Sequence, residues 1–246
     1  MNTDVKGLLS NLKRINDANT ISIKVPSTNK KSNFKLTSFA QQKELLRTAF
    51  DGVSGLIKRT NVFNKLVTEN CTDEVEFLLI DRDAILIEIR KATIGSKYTH
   101  KDKDYDLNTL EPLRKSSLKF EDSITEEDIT INVSIPTLEL DTEVNNKMLT
   151  ELAKFTSEEE KVKQSIDSIV LYETSKFIKD VTVGEQTIKF SDISAYERKE
   201  VVANLPVKIN RKVLDFIAAA KEVTDKAATL DEEVLVEIDA SFLSTD

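Results

Sequence analysis

The part of this chain that most limits how it can fold is its densest apolar segment, residues 73–95. Its apolar side chains lie on both sides of Asp81: Val75, Phe77, Leu78, Leu79, Ile80, Ile85, Leu86, Ile87 and Ile89. Asp81 suits a helix N-cap, Arg90 and Lys91 suit the negative end of the helix dipole, and Gly95 suits a left-handed C-terminal cap. The segment predicts the central helix of a first core.

Two amphipathic helices are predicted before this segment. Ser38 and Gln41 have the spacing of a capping box and begin a helix of about three turns that ends near Gly52. Its apolar residues are Phe39, Leu45, Leu46, Ala49 and Phe50. From Val53 to about Asn70, apolar residues recur every three or four positions, so a second helix is expected to turn its apolar stripe toward the first.

The character of the sequence changes after Gly95. Residues 96–142 show little helical period, and β-like runs occur at 117–120, 129–135 and 138–140, which together predict a small antiparallel β element. Further on, the sequence predicts a helix from 158 to 178, a hairpin around Gly184, a short helix capped by Asp192 or Ser194, and a closing strand at 234–238. Before Pro26, the alternation of residues 21–25 predicts an edge strand, followed by a polar linker.

These elements predict an α+β protein in which helices dominate. We divide the chain into a basic N-terminal arm with an edge strand (1–33), a helical core part (34–95), a small β element (96–145) and a C-terminal helical part (146–246). Glycine- or proline-rich linkers do not separate these parts, so their independence as domains stays open.

One stripe in the C-terminal part has the spacing of a coiled-coil seam. Its first five members step by four, three, four and three residues: Ile209, Val213, Phe216, Ala220 and Val223. The stripe is either a contact for a partner helix or the face that packs on the 158–178 helix, and the presence of a neighbour in the same chain favours packing.

Charge is distributed unevenly along the chain. The formal net charge is −8, yet residues 1–35 contain seven basic and two acidic side chains. An acidic body does not attract a phosphate backbone, so we expect no binding to nucleic acid. The basic arm is expected to be solvated and mobile, with contact to an acidic partner as the alternative. No run of apolar residues is long enough for a membrane span, and the start of the chain lacks the continuous apolar core of a signal peptide. We therefore expect the protein to stay where it is made.

The residues that commonly carry chemistry form no recognisable set. The five glycines build no phosphate-binding loop, and the single cysteine and histidine, Cys71 and His100, lack the flanking motif of a nucleophile pair or a zinc site. The acidic run at 102–106 lacks the glycine and the twelfth-position glutamate of a calcium loop, and a solvated loop is favoured. Arg90 fits a helix-end ion pair better than a catalytic role. We therefore predict no catalytic, cofactor-binding or metal-ligating residue.

Several short motifs, in this order, resemble one family. They are LTSFAQQKELL at 36–46, Asn70-Cys71, DRDAILIEIRKATIG at 81–95, DITINVSIPTLEL at 128–140, the Glu197-Arg198 to Leu205-Pro206 segment, and the terminal Asp-x-Ser-Phe at 239–242. The chain resembles the T-even phage baseplate hub assembly proteins of contractile-tailed viruses. Some of those proteins have cysteine pairs in the β region, as in a zinc ribbon, whereas this chain has none there.

The resemblance implies a late phage protein that acts in the host cytoplasm as a scaffold or chaperone while the tail baseplate hub is built. Its implied partners are hub proteins, and it implies no catalytic residues and no cofactor. The alternative is a structural hub subunit that remains in the virion baseplate. A more distant alternative is a hydrolase that uses carboxylates, which would require a deep pocket with converging acids of perturbed pKa.

Overall fold

The structure, a computed structural model, describes residues 3–244, without the side chains of residues 3, 4, 13, 16, 53, 160, 161 and 164–167. In this range the helices are α1 (Thr3–Ala18), α2 (Phe39–Arg47), α3 (Gly52–Asn70), α4 (Asp81–Thr93), α5 (Leu138–Leu152), α6 (Glu158–Ser175), α7 (Ala195–Ala203) and α8 (Val207–Ala227). The strands are β1 (Thr20–Lys24), β2 (Lys31–Lys35), β3 (Lys97–His100), β4 (Lys103–Asp106), β5 (Glu121–Glu126), β6 (Ile129–Ser134), β7 (Ile178–Val183), β8 (Gln186–Lys189), β9 (Thr229–Leu230) and β10 (Val234–Leu235).

The first core surrounds α4. The hairpin of β1 and β2 contributes Ile23 and Phe34, α2 contributes Leu45, and the C-terminal segment adds Phe242 and Leu243. The hairpin is fastened to α4 through its turn, where the backbone N–H and the hydroxyl of Ser27 donate to the two Asp81 oxygens at 2.8 and 2.7 Å. Burial of apolar area supplies most of the free energy that stabilises such a cluster.

The second core lies on an antiparallel sheet with the strand order β5-β6-β7-β8. Its apolar members include Ile131 of β6, Val181 of β7 and Phe216 of α8. The sequence predicts that residues 96–145 and the hairpin around Gly184 lie in different parts of the protein. In the structure, β6 and β7 nevertheless pair directly. Long-range pairing of this kind leaves no local sequence signal, because it depends on packing rather than on periodicity.

A third cluster joins α3, α5, α6 and α7 and contains a buried charge network. Lys176 is 2% exposed, and its ammonium donates to Asp141 at 2.6 Å, to Asn145 at 3.0 Å and to Glu173. The other oxygen of Asp141 accepts from the amide of Asn64 at 2.7 Å. The network ties α3, α5 and α6 together where the apolar cluster ends.

Most predicted helices are confirmed, and so are the predicted N-terminal caps of α2 and α7. Ser38 and Gln41 form a reciprocal capping box at the start of α2, and Ser194 rather than Asp192 caps α7, together with Glu197. Gly184 has φ of 59° in the predicted hairpin, and the acidic run at 102–106 includes the tip of the β3–β4 hairpin. Of the closing strand, only Val234–Leu235 pairs with a neighbour.

Four local predictions are wrong. Asp81 is the first residue of α4 and not its N-cap, since its carboxylate accepts from Leu78 and Ser27. Residues 138–140 begin α5, which Thr137 caps, and are not a strand. The strand expected at 117–120 starts at Glu121. The segment after Pro26 is no linker, because it contains the buried Ser27 and strand β2.

The α+β class with dominant helices is confirmed. The four-part division stays a prediction. The first core draws on all of those parts, since Val25, Leu86, Tyr98 and Leu230 belong to the same cluster.

Candidate partner-binding surfaces

Helix α1 presents a row of apolar side chains to solvent. Val5, Leu8, Leu9, Leu12 and Ile15 have exposed fractions between 43% and 59%. Their spacing of three or four residues places them on one side of a helix. We call these five residues the α1 surface. Contiguous exposed apolar area of this kind on a protein marks a site of association more often than a structural need.

Few contacts attach α1 to the rest of the protein. Near its C-terminal end, Asp17 pairs with Lys35 of β2 at 2.8 Å, and the carbonyl of Asn19 accepts from Leu36 at 3.3 Å. None of the described side chains of α1 belongs to the three apolar clusters. The basic arm of the sequence analysis is thus a helix with an exposed apolar face, followed by a packed hairpin.

The coiled-coil-like stripe does not provide a free surface. Ile209, Val213, Phe216 and Ala220 are buried in the second core, which agrees with the alternative of packing within the chain and leaves the contact with a partner helix unconfirmed. They pack chiefly against the four-stranded sheet and only to a smaller extent against α6. Val223 is half-buried and lines an open groove of about 590 Å³ between β5 and α8.

The outer edge of the sheet is a further apolar area. An open groove of about 420 Å³ lies between the sheet and α7, and Val183 and Ile188 are among its exposed side chains. Strand β8 has a hydrogen-bonded neighbour in β7 alone, so its other edge is unpaired among the described residues. Unpaired strand edges are able to accept a further strand, and this edge consists of only four residues.

A family model described as "T4 bacteriophage base plate protein" matches residues 18–229. The chain belongs to this family. No curated protein and no solved structure matched the chain. The match begins at the last residue of α1, so the five residues of the α1 surface precede the matched region.

The cysteine and the histidine considered for chemistry lie on different elements of this baseplate protein. Cys71 follows α3, where burial raises the pKa of its thiol and its Sγ lies 3.4 Å from the carbonyl oxygen of Asp73. His100 ends β3, on another element. A raised pKa keeps the thiol protonated, which is the opposite of what a nucleophilic cysteine needs.

The most deeply buried carboxylates are already occupied by internal hydrogen bonds. Asp81 accepts from Ser27 and Leu78, and Asp141 accepts from Lys176 and Asn64. Asp83 lies two residues after Asp81 in α4, is half-exposed, and pairs with Arg82. Within residues 3–244, the described acidic, histidine and cysteine side chains form no group of three able to hold a metal ion.

Arg90 has a structural position in this baseplate protein. Its guanidinium donates to the carbonyl oxygens of Phe242 at 3.1 Å and of Lys97 at 2.8 Å, and it lies 5.2 Å from the centre of the Phe242 ring. It thereby joins the end of α4 to the C-terminal segment. Over the described part of the chain, no helix is both long and apolar enough to cross a membrane.

The sequence predicts a solvated basic arm, with contact to an acidic partner as the alternative, and that contact stays a prediction; the apolar face of the arm was missed. The signal was present, since Val5, Leu8, Leu12 and Ile15 recur at helical spacing. What the sequence cannot show is whether such a stripe is covered by the same chain. Among the described side chains of α1, the structure leaves Val5, Leu8, Leu9, Leu12 and Ile15 exposed.

Proposed function

We propose that this baseplate family member is an assembly factor of the baseplate hub. It binds hub proteins in the host cytoplasm during tail construction and performs no covalent chemistry. The observation that carries the proposal is the α1 surface, an apolar helix face that no other element covers in the described structure. Membership of the family supports a role in the baseplate.

Helix α1 is suited to insertion into a groove of another protein. An amphipathic helix that docks in this way uses apolar anchors at spacings of three, four and seven residues, which Leu8, Leu12 and Ile15 provide. Lys6 and Arg14 are exposed on the same helix and add positive charge. Because α1 has few contacts with its own chain, it is able to dock without unfolding the body.

The direct test is capture of hub proteins from infected cells by the tagged protein. We expect the wild-type protein to recover hub proteins and the Leu8→Ser/Leu12→Ser variant to recover at least about tenfold less. The matched control is Lys6→Gln/Arg14→Gln, which keeps the apolar side chains and should retain most of the capture. Equal capture by all three proteins would show that α1 is not the docking element.

The second candidate is a structural subunit that stays in the particle. Family membership favours it as much as it favours an assembly factor, since a baseplate role is common to both. A fixed number of copies in purified virions would select this candidate.

A further inference from the structure

Helix α2 carries a second set of exposed apolar side chains, on the side that faces away from the core. Phe39 is 80% exposed, Leu46 is 40% exposed, and Phe50 at the end of the following 3-10 turn is 89% exposed. Leu45 of the same helix is fully buried. Spacings of seven and four residues place the three exposed side chains in one row along the helix.

The fold does not use this row. The core side of α2 is held by Leu45, by the Ser38–Gln41 capping box and by the hydrogen bonds from Gln41 to Asn70 and from Gln42 to Leu243. Phe39 and Phe50 belong to none of the apolar clusters. Two exposed phenylalanine rings raise the free energy of the isolated protein in water, and covering them would be favourable.

Two cations lie between the phenylalanines along the helix. Lys43 and Arg47, four and eight residues after Phe39, are both exposed. Among the residues that the structure describes, no carboxylate pairs with either of them. The acidic residue of the helix, Glu44, is already bound to Lys65 at 3.0 Å. We define the α2 surface as Phe39, Lys43, Leu46, Arg47 and Phe50.

We propose that the α2 surface docks an acidic amphipathic segment of another baseplate protein. Apolar side chains of that segment cover the rings of Phe39 and Phe50, and its carboxylates pair with Lys43 and Arg47. The α2 surface is separate from the α1 surface and lies inside the region that matches the baseplate family. The inference therefore needs the baseplate family but not the hub role.

The charge of the α2 surface favours an acidic protein segment over a second copy of the chain or a nucleic acid. Pairing the same surface of two copies would bring Lys43 and Arg47 of one copy near those of the other, which is unfavourable. Aromatic rings with cations also fit single-stranded nucleic acid, but such sites follow the phosphate backbone with a groove of many cations, whereas the α2 surface contains two, Lys43 and Arg47. An acidic protein segment satisfies both the rings and the two cations.

The test uses the full-length protein and a labelled helical peptide of about 16 residues with leucines on one side and glutamates on the other. The comparison peptide has every glutamate replaced by lysine. Binding is measured by fluorescence anisotropy. We expect saturable binding of the acidic peptide, at least about tenfold tighter than that of the basic peptide.

Substitutions locate the binding site. Phe39→Ser/Phe50→Ser should weaken binding of the acidic peptide at least about tenfold, and Lys43→Glu/Arg47→Glu should reverse the preference in favour of the basic peptide. The control Val183→Ser/Val207→Ser changes exposed apolar residues elsewhere and should leave binding unchanged. Because all of these side chains are exposed, circular dichroism should show unaltered folding in each variant.

Three results would overturn the proposal. One is the absence of saturable binding of the acidic peptide below about 1 mM. Another is equal affinity for the acidic and basic peptides, or affinity that the α2 substitutions do not change. The last is a wild-type dimer in sedimentation that Phe39→Ser/Phe50→Ser converts to a monomer, which would make a second copy the occupant. If the wild-type protein binds the acidic peptide but captures no hub proteins, that result would contradict only the hub role.

Discussion

At the scale of single residues, Lys176 and Asp141 show how this protein accommodates buried charge. Both are almost fully buried, and their hydrogen bonds extend to Asn145, Asn64 and Glu173. Buried ions are tolerated only when paired, because an unpaired charge in a core is strongly destabilising. The pair therefore restrains the arrangement of α5 and α6 more than it adds to stability.

Substitution of Lys176 tests how far the stability of the fold depends on its pairing with Asp141. We expect Lys176→Met to lower the free energy of unfolding by about 3–5 kcal/mol, because it removes the ammonium that pairs with the buried Asp141 and leaves the more distant guanidinium of Arg82, at 3.8 Å, as its remaining cation among the described side chains. Urea unfolding followed by circular dichroism measures the loss. Lys179→Met is the matched control, since Lys179 lies at the surface and its ion pair with Glu121 is exposed, so a change under about 1 kcal/mol is expected. Equal losses would contradict the assigned role of the network.

Asp81 gives a prediction about pH. Burial raises its pKa above the ordinary value of 3.8, and hydrogen bonds from Ser27 and Leu78 oppose the shift only in part. A raised pKa in the folded state means that this stabilising contribution is complete below pH 3.8 and is lost as the pH rises through the folded-state pKa. The stability advantage of the wild-type protein over Asp81→Asn should therefore shrink as the pH rises.

The control variant, Asp104→Asn, should show the opposite dependence of stability on pH. Hydrogen bonds from Lys97 and Thr99 lower the pKa of Asp104, so its contribution is lost as the pH falls. The advantage of the wild-type protein over Asp104→Asn should thus grow with pH. Urea unfolding at several pH values between about 3 and 7 would measure both trends. Trends of the same sign in the two variants would refute the assignment.

At the scale of elements, the predictable part of the fold is the part with a local signal. The capping boxes at Ser38 and Ser194 satisfy backbone N–H groups within one turn, so the sequence alone reveals them. The sequence predicts Asp81 to be a cap because no local signal reveals its hydrogen-bond partner Ser27, which lies 54 residues earlier. The pairing of β6 with β7 was missed for the same reason. The α8 stripe is buried as the sequence favoured, but chiefly on the sheet rather than on the 158–178 helix.

Helix α2 and strand β2 give an element-scale prediction about which phenylalanines hold the fold. Phe34 of β2 is fully buried against Phe77, with ring centres 5.8 Å apart, whereas Phe50 after α2 is almost wholly exposed. Phe34→Ala should destabilise the protein by about 3–5 kcal/mol because it leaves a cavity in the first core. Phe50→Ala should change stability by less than about 0.5 kcal/mol. A large loss for Phe50→Ala would show that the α2 surface serves the fold.

At the scale of the whole molecule, the protein combines a packed body with apolar surfaces that its own chain leaves uncovered. The α1 and α2 surfaces are exposed, while the stripe that most resembled a partner seam in the sequence is buried. Sequence periodicity identified the α2 helix and the α8 stripe as amphipathic and missed the α1 face. It does not by itself show which stripe is covered, because coverage depends on the tertiary arrangement. Of the two exposed surfaces, the α2 surface lies within the residues that match the baseplate family, and the α1 surface precedes them.

We propose that the protein binds hub proteins during assembly and then leaves. The most direct measurement is its copy number, determined by quantitative mass spectrometry, in hub intermediates from infected cells and in purified virions of the same infection. We expect the protein in the intermediates and its absence from the virions. The same copy number in both would contradict departure and make it a structural subunit, and absence from both would contradict the hub role itself.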